Sequence, residues 1–432
     1  MRTDFLKEAL SKASTTKVFL NEEGALKKLP SIIKEYFGKV AVIIIADENT
    51  WQAAGKESYR YLKEGGVKLL APYIFPGKPV LETDYKWVEE LVKHLESSNA
   101  LPIAIGSGTL NDLVKLTAHL LKTPYIVVAT APSVDGYAAA GAALLTDGVK
   151  MTHQCDAPLA IVGESEVLAN APQELKSAGY SDLLAKVPAG ADWIVADFLG
   201  EDPINRVGWN LVQSHLREFL TLPVDWDNLF IGLTLSGLAM QYMRDSRPVS
   251  GGEHLLSHIW EMEGENPYLH GHKVGIGSLI TTALYTFLLD EGVRGGIPLK
   301  GREELLNEKF ALLEANFGYL GDLSKMEQIL EAKYHPSKIQ VVRRERLIEG
   351  WPLLKGRLEG QLFSYEELKE RLQAVGAPTR PEEIGVTRQA AIETMVKSQL
   401  LRNRYTILDV VDDLGLMGQA IDYISDHPEF LN

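Results

Sequence analysis

Short, uninterrupted runs of apolar and β-branched residues mark the first 162 residues of the chain. Val40–Ala46 reads VAVIIIA, and Val67–Phe75, Leu101–Ile105 and Tyr125–Ala129 repeat the pattern before polar or glycine-containing sequence. Leu159–Val162 closes this half. Between the runs, Glu82–Ser97 places Trp87, Leu91 and Leu95 at helical spacing. Apolar runs without alternation predict strands covered on both faces, and helices between them predict a parallel sheet. From about residue 165 the β-branched runs end and helical periodicity takes over. The helical stretches are Ile204–Leu220, Leu229–Met243, Gly275–Leu289, Glu303–Ala315, Glu366–Ala374 and Arg388–Arg402. Gly190, Pro223, Pro248, Gly251–Gly252, Pro267, Pro378 and Pro381 punctuate them. The pattern predicts an α/β domain over 1–164 and an all-α domain over 165–432, with a site expected in the cleft between them.

Composition narrows the partners. The net charge of −14 sets 44 basic against 58 acidic residues, with no strong basic block. Nucleic acid and anionic membrane surfaces are poor partners for such a chain, and a small molecule is the expected one. Cys155 is the single cysteine, which excludes a disulfide framework and fits a reducing compartment. Asp4 and Glu8 fall where a signal peptide needs an unbroken apolar core. The longest clean apolar run, Val40–Ala46, is far short of the ~20 residues that span a bilayer. The expectation is a soluble cytoplasmic protein.

Four stretches carry candidate chemistry. Ile105-Gly106-Ser107-Gly108-Thr109-Leu110-Asn111-Asp112 follows a strand and opens a helix. Glycines there let backbone approach an anion, and the helix start presents unpaired N–H groups to a phosphate; a plain βα turn has the same pattern. Asp47, at the end of the first strong run, can accept from a ribose diol or simply cap a helix. Thr130, Ser133 and Asp135 leave the Tyr125–Ala129 strand on a loop held by Pro132 and Gly136, at the end where open α/β sheets bind ligands. Four of the ten histidines fall within His254–His272. His254 and His258, four residues apart, share a helix face, and His270 can close a metal site from an adjacent loop. A carboxylate ligand completes many such sites. Asp182 is one candidate, opening a helical run where it also reads as an N-cap. Glu253, Glu261 and Glu263 are rivals, and spacing does not choose among them.

Taken together, GSGTLNDLVK, PYIVVATAPSVDGYAA, DGVKMT, GYSDLLAK with ADW after it, SGGEHLLSHIWEM and LHGHKVGIGSLI resemble the iron-containing alcohol dehydrogenase superfamily, in its glycerol-1-phosphate dehydrogenase branch. They run in family order from residue 101 to about 280. The resemblance implies a Rossmann-like NAD(P)-binding domain followed by an all-α domain, the dehydroquinate-synthase-like architecture, with one divalent metal. It implies that Gly106, Ser107, Gly108, Thr109 and Asp112 form the pyrophosphate loop, and that Thr130 and Ser133 touch the nicotinamide side. Asp182, His254 and His270 match the metal ligands. Asp135 and His258 match substrate-contacting residues, joined at the substrate by the ligand Asp182. Three positions depart from the family pattern: Ala139 stands where a serine is usual, His272 where an acid is usual, and Ser181 where glycine is usual.

The implied reaction is reduction of dihydroxyacetone phosphate to sn-glycerol 1-phosphate. The metal acts as a Lewis acid at the C2 oxygen, and hydride passes from the nicotinamide. Zinc, nickel and iron all accept this ligand set. Asp47 favours NAD over NADP, because a 2′-phosphate would meet a carboxylate. The branch also implies at least a homodimer and a link to phospholipid metabolism. Two neighbouring activities share the architecture: a glycerol or polyol dehydrogenase on unphosphorylated substrate, and a dehydroquinate-synthase-like lyase on a sugar phosphate. A cationic phosphate pocket separates the first. Lys186 and Lys273 are its candidates, though lysines of this kind are more often solvated at the surface.

Overall fold

The computed structural model describes residues 2–146, 149–263, 267–294, 300–334 and 337–431. Two compact units form: Met1–Leu183 with Val207–Ser246, and Leu184–Arg206 with Arg247–Asn432.

The first unit is built on a parallel sheet. Its strands are β1 (Val18–Glu22), β2 (Ala41–Asp47), β3 (Lys68–Leu69), β4 (Tyr73–Phe75), β5 (Leu101–Gly106), β6 (Ile126–Ala129) and β9 (Ala160–Glu164). The order is β1-β9-β6-β5-β2-β3, with β4 also pairing β2. Every residue of β5, β6 and β9 is buried, as unalternating runs require. One core cluster joins Ile44, Ile103, Val128 and Val162 to Leu26, Leu29 and Ile33 outside the sheet. The Val67–Phe75 run is two short strands; Pro72, between them, has no N–H to give a ladder. Asp84 caps the Tyr85–Leu95 helix by accepting from the Lys86 N–H at 2.9 Å, which moves the start three residues past Glu82. An antiparallel hairpin, β7 (Ala142–Thr146) and β8 (Val149–His153), follows the loop after β6. Asp147 and Gly148 of the DGVKMT stretch lie outside the described residues. Three further helical segments belong largely to this unit: Gln173–Leu184, Trp226–Met243 and, split where one helix is predicted, Arg206–Gln213 with Leu216–Phe219.

The second unit is helical. Its His270–Glu291 helix is buried without a break from Gly271 to Tyr285, the mark of a helix surrounded on all sides. The Arg388–Ser398 helix ends four residues before Arg402, so 399–406 is loop. Ser337–Gln361 forms a long helix that the pattern of the chain does not announce, and it carries Pro352 inside. Among the described residues no helix is long and apolar enough to cross a membrane.

Candidate functional site

In the first unit, β5 delivers Gly106 to a turn where a Cβ would meet Leu110 Cδ1 at 2.4 Å, so no larger residue fits. Ser107 takes the N-cap position with extended backbone and makes no side-chain cap bond. The Gly108–Leu120 helix therefore begins with N–H groups left to a ligand. Thr130 N donates to Gly106 O at 3.1 Å, tying the loop after β6 to this turn. Thr130 and Ser133 are both nearly buried. Asp47 ends β2 as a helix cap: its Oδ1 accepts from the N–H groups of Asn49 and Thr50 at 2.7 and 2.8 Å. Its Oδ2 has no hydrogen-bond partner among the described residues.

Asp112 and Lys115 together fix the loop. Lys115 is fully buried, and its Nζ donates to Asp112 Oδ1 (3.1 Å), Gly136 O (2.8 Å) and Gly141 O (2.9 Å). The other Asp112 oxygen accepts from Ala143 N at 3.2 Å. The aspartate thus acts on the protein's own backbone and lysine, one turn inside the helix. Sequence reading did not single out Lys115; its only signal is the (i, i+3) spacing from Asp112.

The same loop is pinned from two helices. A Cβ on Gly179 would lie 1.7 Å from Pro132 O, and one on Gly237 would lie 2.8 Å from Asp135 O. Both helices therefore touch the loop backbone directly. Asp182 is fully buried and its Oδ2 accepts from Asp135 N at 2.9 Å. It sits near the end of the Gln173–Leu184 helix rather than at the start of one, so the N-cap reading is set aside.

In the second unit, Gly252–Met262 and His270–Glu291 carry the histidines. A Cβ on Gly277 would meet Glu253 O at 2.4 Å, which is why the two helices approach so closely. Ring centroids lie 5.5 Å apart for His254 and His270, and 6.4 Å for His258 with each of them. Glu253 Oε1 sits 2.8 Å from His254 Nδ1, and Glu261 Oε1 sits 2.8 Å from His270 Nδ1. Two of the rival carboxylates thus bind the far side of the imidazoles. A carboxylate at Nδ1 fixes the tautomer and turns Nε2 outward as the ligand atom. His258 Nδ1 is 3.6 Å from Glu261 Oε2. Burial lowers its pKa, opposed by Glu261 and reinforced by the positive charges of His270 and Arg402. His272 is buried inside its helix, where loss of solvation pulls its pKa down to about 4 and keeps it neutral.

Asp192 supports this arrangement from below. Its Oδ2 accepts from Gly252 N (2.7 Å), capping the histidine-bearing helix, and its Oδ1 accepts from Tyr285 OH (2.6 Å) and Ile407 N (2.8 Å). Burial and the nearby Glu253 charge push the Asp192 carboxyl up. Lys186 is fully buried and Lys273 nearly so. Neither is a solvated surface lysine, and the Lys186 charge acts on Glu253.

The sequence profile of iron-containing alcohol dehydrogenases matches residues 21–172. A Glycerol-1-phosphate dehydrogenase [NAD(P)+] of Bacillus licheniformis is 30% identical over 415 residues, 93% of this chain and 90% of the relative. The chain belongs to the iron-containing alcohol dehydrogenase family. Another relative of the same name, from Halalkalibacterium halodurans, is 34% identical over 274 residues, 60% of this chain and 68% of its own. Among solved structures, glycerol dehydrogenase from Schizosaccharomyces pombe matches with a TM-score of 0.59 at 14% identity, covering 96% of this chain and 92% of that one. At that identity the likeness speaks for the fold.

Proposed function

We propose that the protein is an NAD(P)-dependent, divalent-metal-dependent oxidoreductase that interconverts dihydroxyacetone phosphate and sn-glycerol 1-phosphate. The observation that carries this reading is the pair His254 and His270, each with a buried or half-buried carboxylate on Nδ1, in a chain aligned along nine-tenths of a glycerol-1-phosphate dehydrogenase. That donor set suits zinc, nickel or iron, and we assign Asp182, His254 and His270 as the residues that hold one ion. When bound, the metal supplies Lewis acidity at the C2 oxygen, and the dinucleotide supplies the hydride.

The protein's own groups do the rest. The N–H groups opening the Gly108–Leu120 helix, with Gly106, Ser107 and Thr109 around them, cradle the pyrophosphate. Thr130 and Ser133 orient the nicotinamide, on a loop that Asp112 and Lys115 hold in place. Asp47 offers its remaining carboxylate oxygen to a ribose diol and so favours NAD over NADP. Asp135 and His258 position the substrate hydroxyls. Reduction at C2 also needs a proton on its oxygen, and His258 would pass one in from solvent, taking it up at one ring nitrogen as it releases one from the other. The family reading extends to at least a dimer, a cytoplasmic setting and a role in phospholipid metabolism.

The test is NADH oxidation by metal-reconstituted protein with dihydroxyacetone phosphate and dihydroxyacetone in parallel. Preference for the phosphate ester is expected. Preference for the free ketone makes it a polyol dehydrogenase, and no net NADH loss on either reopens the lyase. H254A and H270A should each lose bound metal and turnover together; a variant that keeps both overturns the ligand assignment.

A further inference from the structure

The loop 399–406 runs beside the histidine-bearing helix, and both its ends are anchored there. At one end, Lys397 pairs with Glu263, and Trp260 Nε1 donates to Thr394 Oγ1 at 3.0 Å. At the other, an Arg404 guanidinium nitrogen donates to Ser250 O at 2.8 Å. The helix between these anchors, Gly252–Met262, rises about 15 Å, and the chain from Lys397 to Arg404 reaches at most about 24 Å. The loop therefore begins beside one end of this helix and finishes beside the other, with His258 on the helix between them. Its far end is fixed further by Ile407 N on Asp192 Oδ1 (2.8 Å) and by the Thr406–Asp409 capping box. A loop pinned at this many points can present one side chain reproducibly.

The side chain it presents is Arg402. The residue is exposed, and among the described residues it has no hydrogen bond or ion pair. The acids nearby have partners of their own: Glu263 holds Lys397, and Glu261 holds His270 and faces His258. The Arg402 charge is felt at His258, on the histidine-bearing helix. A guanidinium presents a planar fork that matches phosphate oxygens two at a time.

We propose that Arg402 is the phosphate-recognising residue of this enzyme, pairing with the phosphoryl oxygens of the substrate while His258 and the metal-binding histidines address its reacting end. The assignment rests on the reading of the substrate as a phosphate ester. It moves that role away from the buried Lys186 and Lys273, and it makes Arg402 the residue that separates phosphorylated from free ketone.

The experiment compares wild type, R402Q and R402K on dihydroxyacetone phosphate and dihydroxyacetone, with inorganic phosphate as competitive inhibitor. Loss of a charge-assisted bond to phosphate lowers the ratio of kcat/KM between the two substrates about tenfold to a hundredfold in R402Q. The inhibition constant of inorganic phosphate should rise with it, and R402K should recover part of both. A ratio that stays at the wild-type value in R402Q, whether both rates fall or neither does, overturns the proposal alone. Wild-type protein that shows no preference for the phosphate ester overturns the substrate reading and the proposal with it.

Discussion

Replacing Gly179 by alanine tests how the loop that carries Thr130, Ser133 and Asp135 is held. Gly179 lies inside the Gln173–Leu184 helix, where alanine would ordinarily gain up to about 1 kcal/mol over glycine. Here the new Cβ would stand 1.7 Å from Pro132 O, 2.7 Å from its carbonyl carbon and 3.1 Å from Ser133 Cα. All three are backbone atoms, so no side-chain rotation relieves the overlap. An ordinary contact begins at 3.4 Å, so helix and loop must separate by close to 1.7 Å. Overpacking of this kind costs about 3 kcal/mol, more when backbone has to move, and it outweighs the helix gain. The displaced loop also shifts Thr130 and Ser133, proposed above to orient the nicotinamide, where a misplacement of about 1 Å can cost a hundredfold in rate. The assay is the urea midpoint together with kcat/KM for NADH, in G179A and in G356A. Gly356 sits exposed in the Ser337–Gln361 helix with nothing within 4 Å of a new Cβ, so alanine there should leave activity alone and stabilise by about 0.5–1 kcal/mol. If G179A is as stable and as active as wild type, the close packing of helix on loop is not what positions the cofactor site.

Two further outcomes follow from the second unit. E261Q should weaken metal binding about tenfold to a hundredfold in a chelator competition, because the amide polarises His270 less than the carboxylate does; H258Q should leave metal bound, and a metal-free H258Q would make His258 a ligand. Burial and the charges of Asp412 and Asp409 push Asp413 up to about 6 against the pull of Arg343 and the Tyr405 hydroxyl. A folded pKa above the unfolded value of about 4 means the folded state holds the extra proton, so this contribution to stability is present at low pH and is lost as pH rises from about 4 to about 6. It amounts to roughly 3 kcal/mol, and D413N should remove that slope from the urea midpoint; parallel pH profiles for the two proteins would contradict it.

The strands that were legible in the sequence share one property. β2, β5, β6 and β9 are buried on both faces, and burial leaves an unbroken apolar run whatever the neighbours are. β1 reads VFLNE and is only half-buried, so its pairing with β9 leaves no such trace. The β7–β8 hairpin and the Ser337–Gln361 helix were hidden in the same way, the helix because its apolar positions follow no single face. The histidines were legible as a cluster because His254 and His258 sit one turn apart on one element.

The sequence by itself therefore determined the fold class, the glycine-bearing turn after β5 and the residue types that gather at the proposed metal site. Tertiary structure decided the roles within that set. Glu253, Glu261 and Asp182 are equivalent carboxylates in a string of letters. Only the crossing of two helices at Gly277 brings Glu261 to the Nδ1 of His270, while Glu253 lies on the Nδ1 of its chain neighbour His254. Lys186 and Arg402 are likewise two cations in sequence, but folding buries the first and leaves the second exposed on a pinned loop. Spacing fixes neighbours a turn apart; which polar group meets which across elements depends on how closely backbones approach, and that is a property of packing.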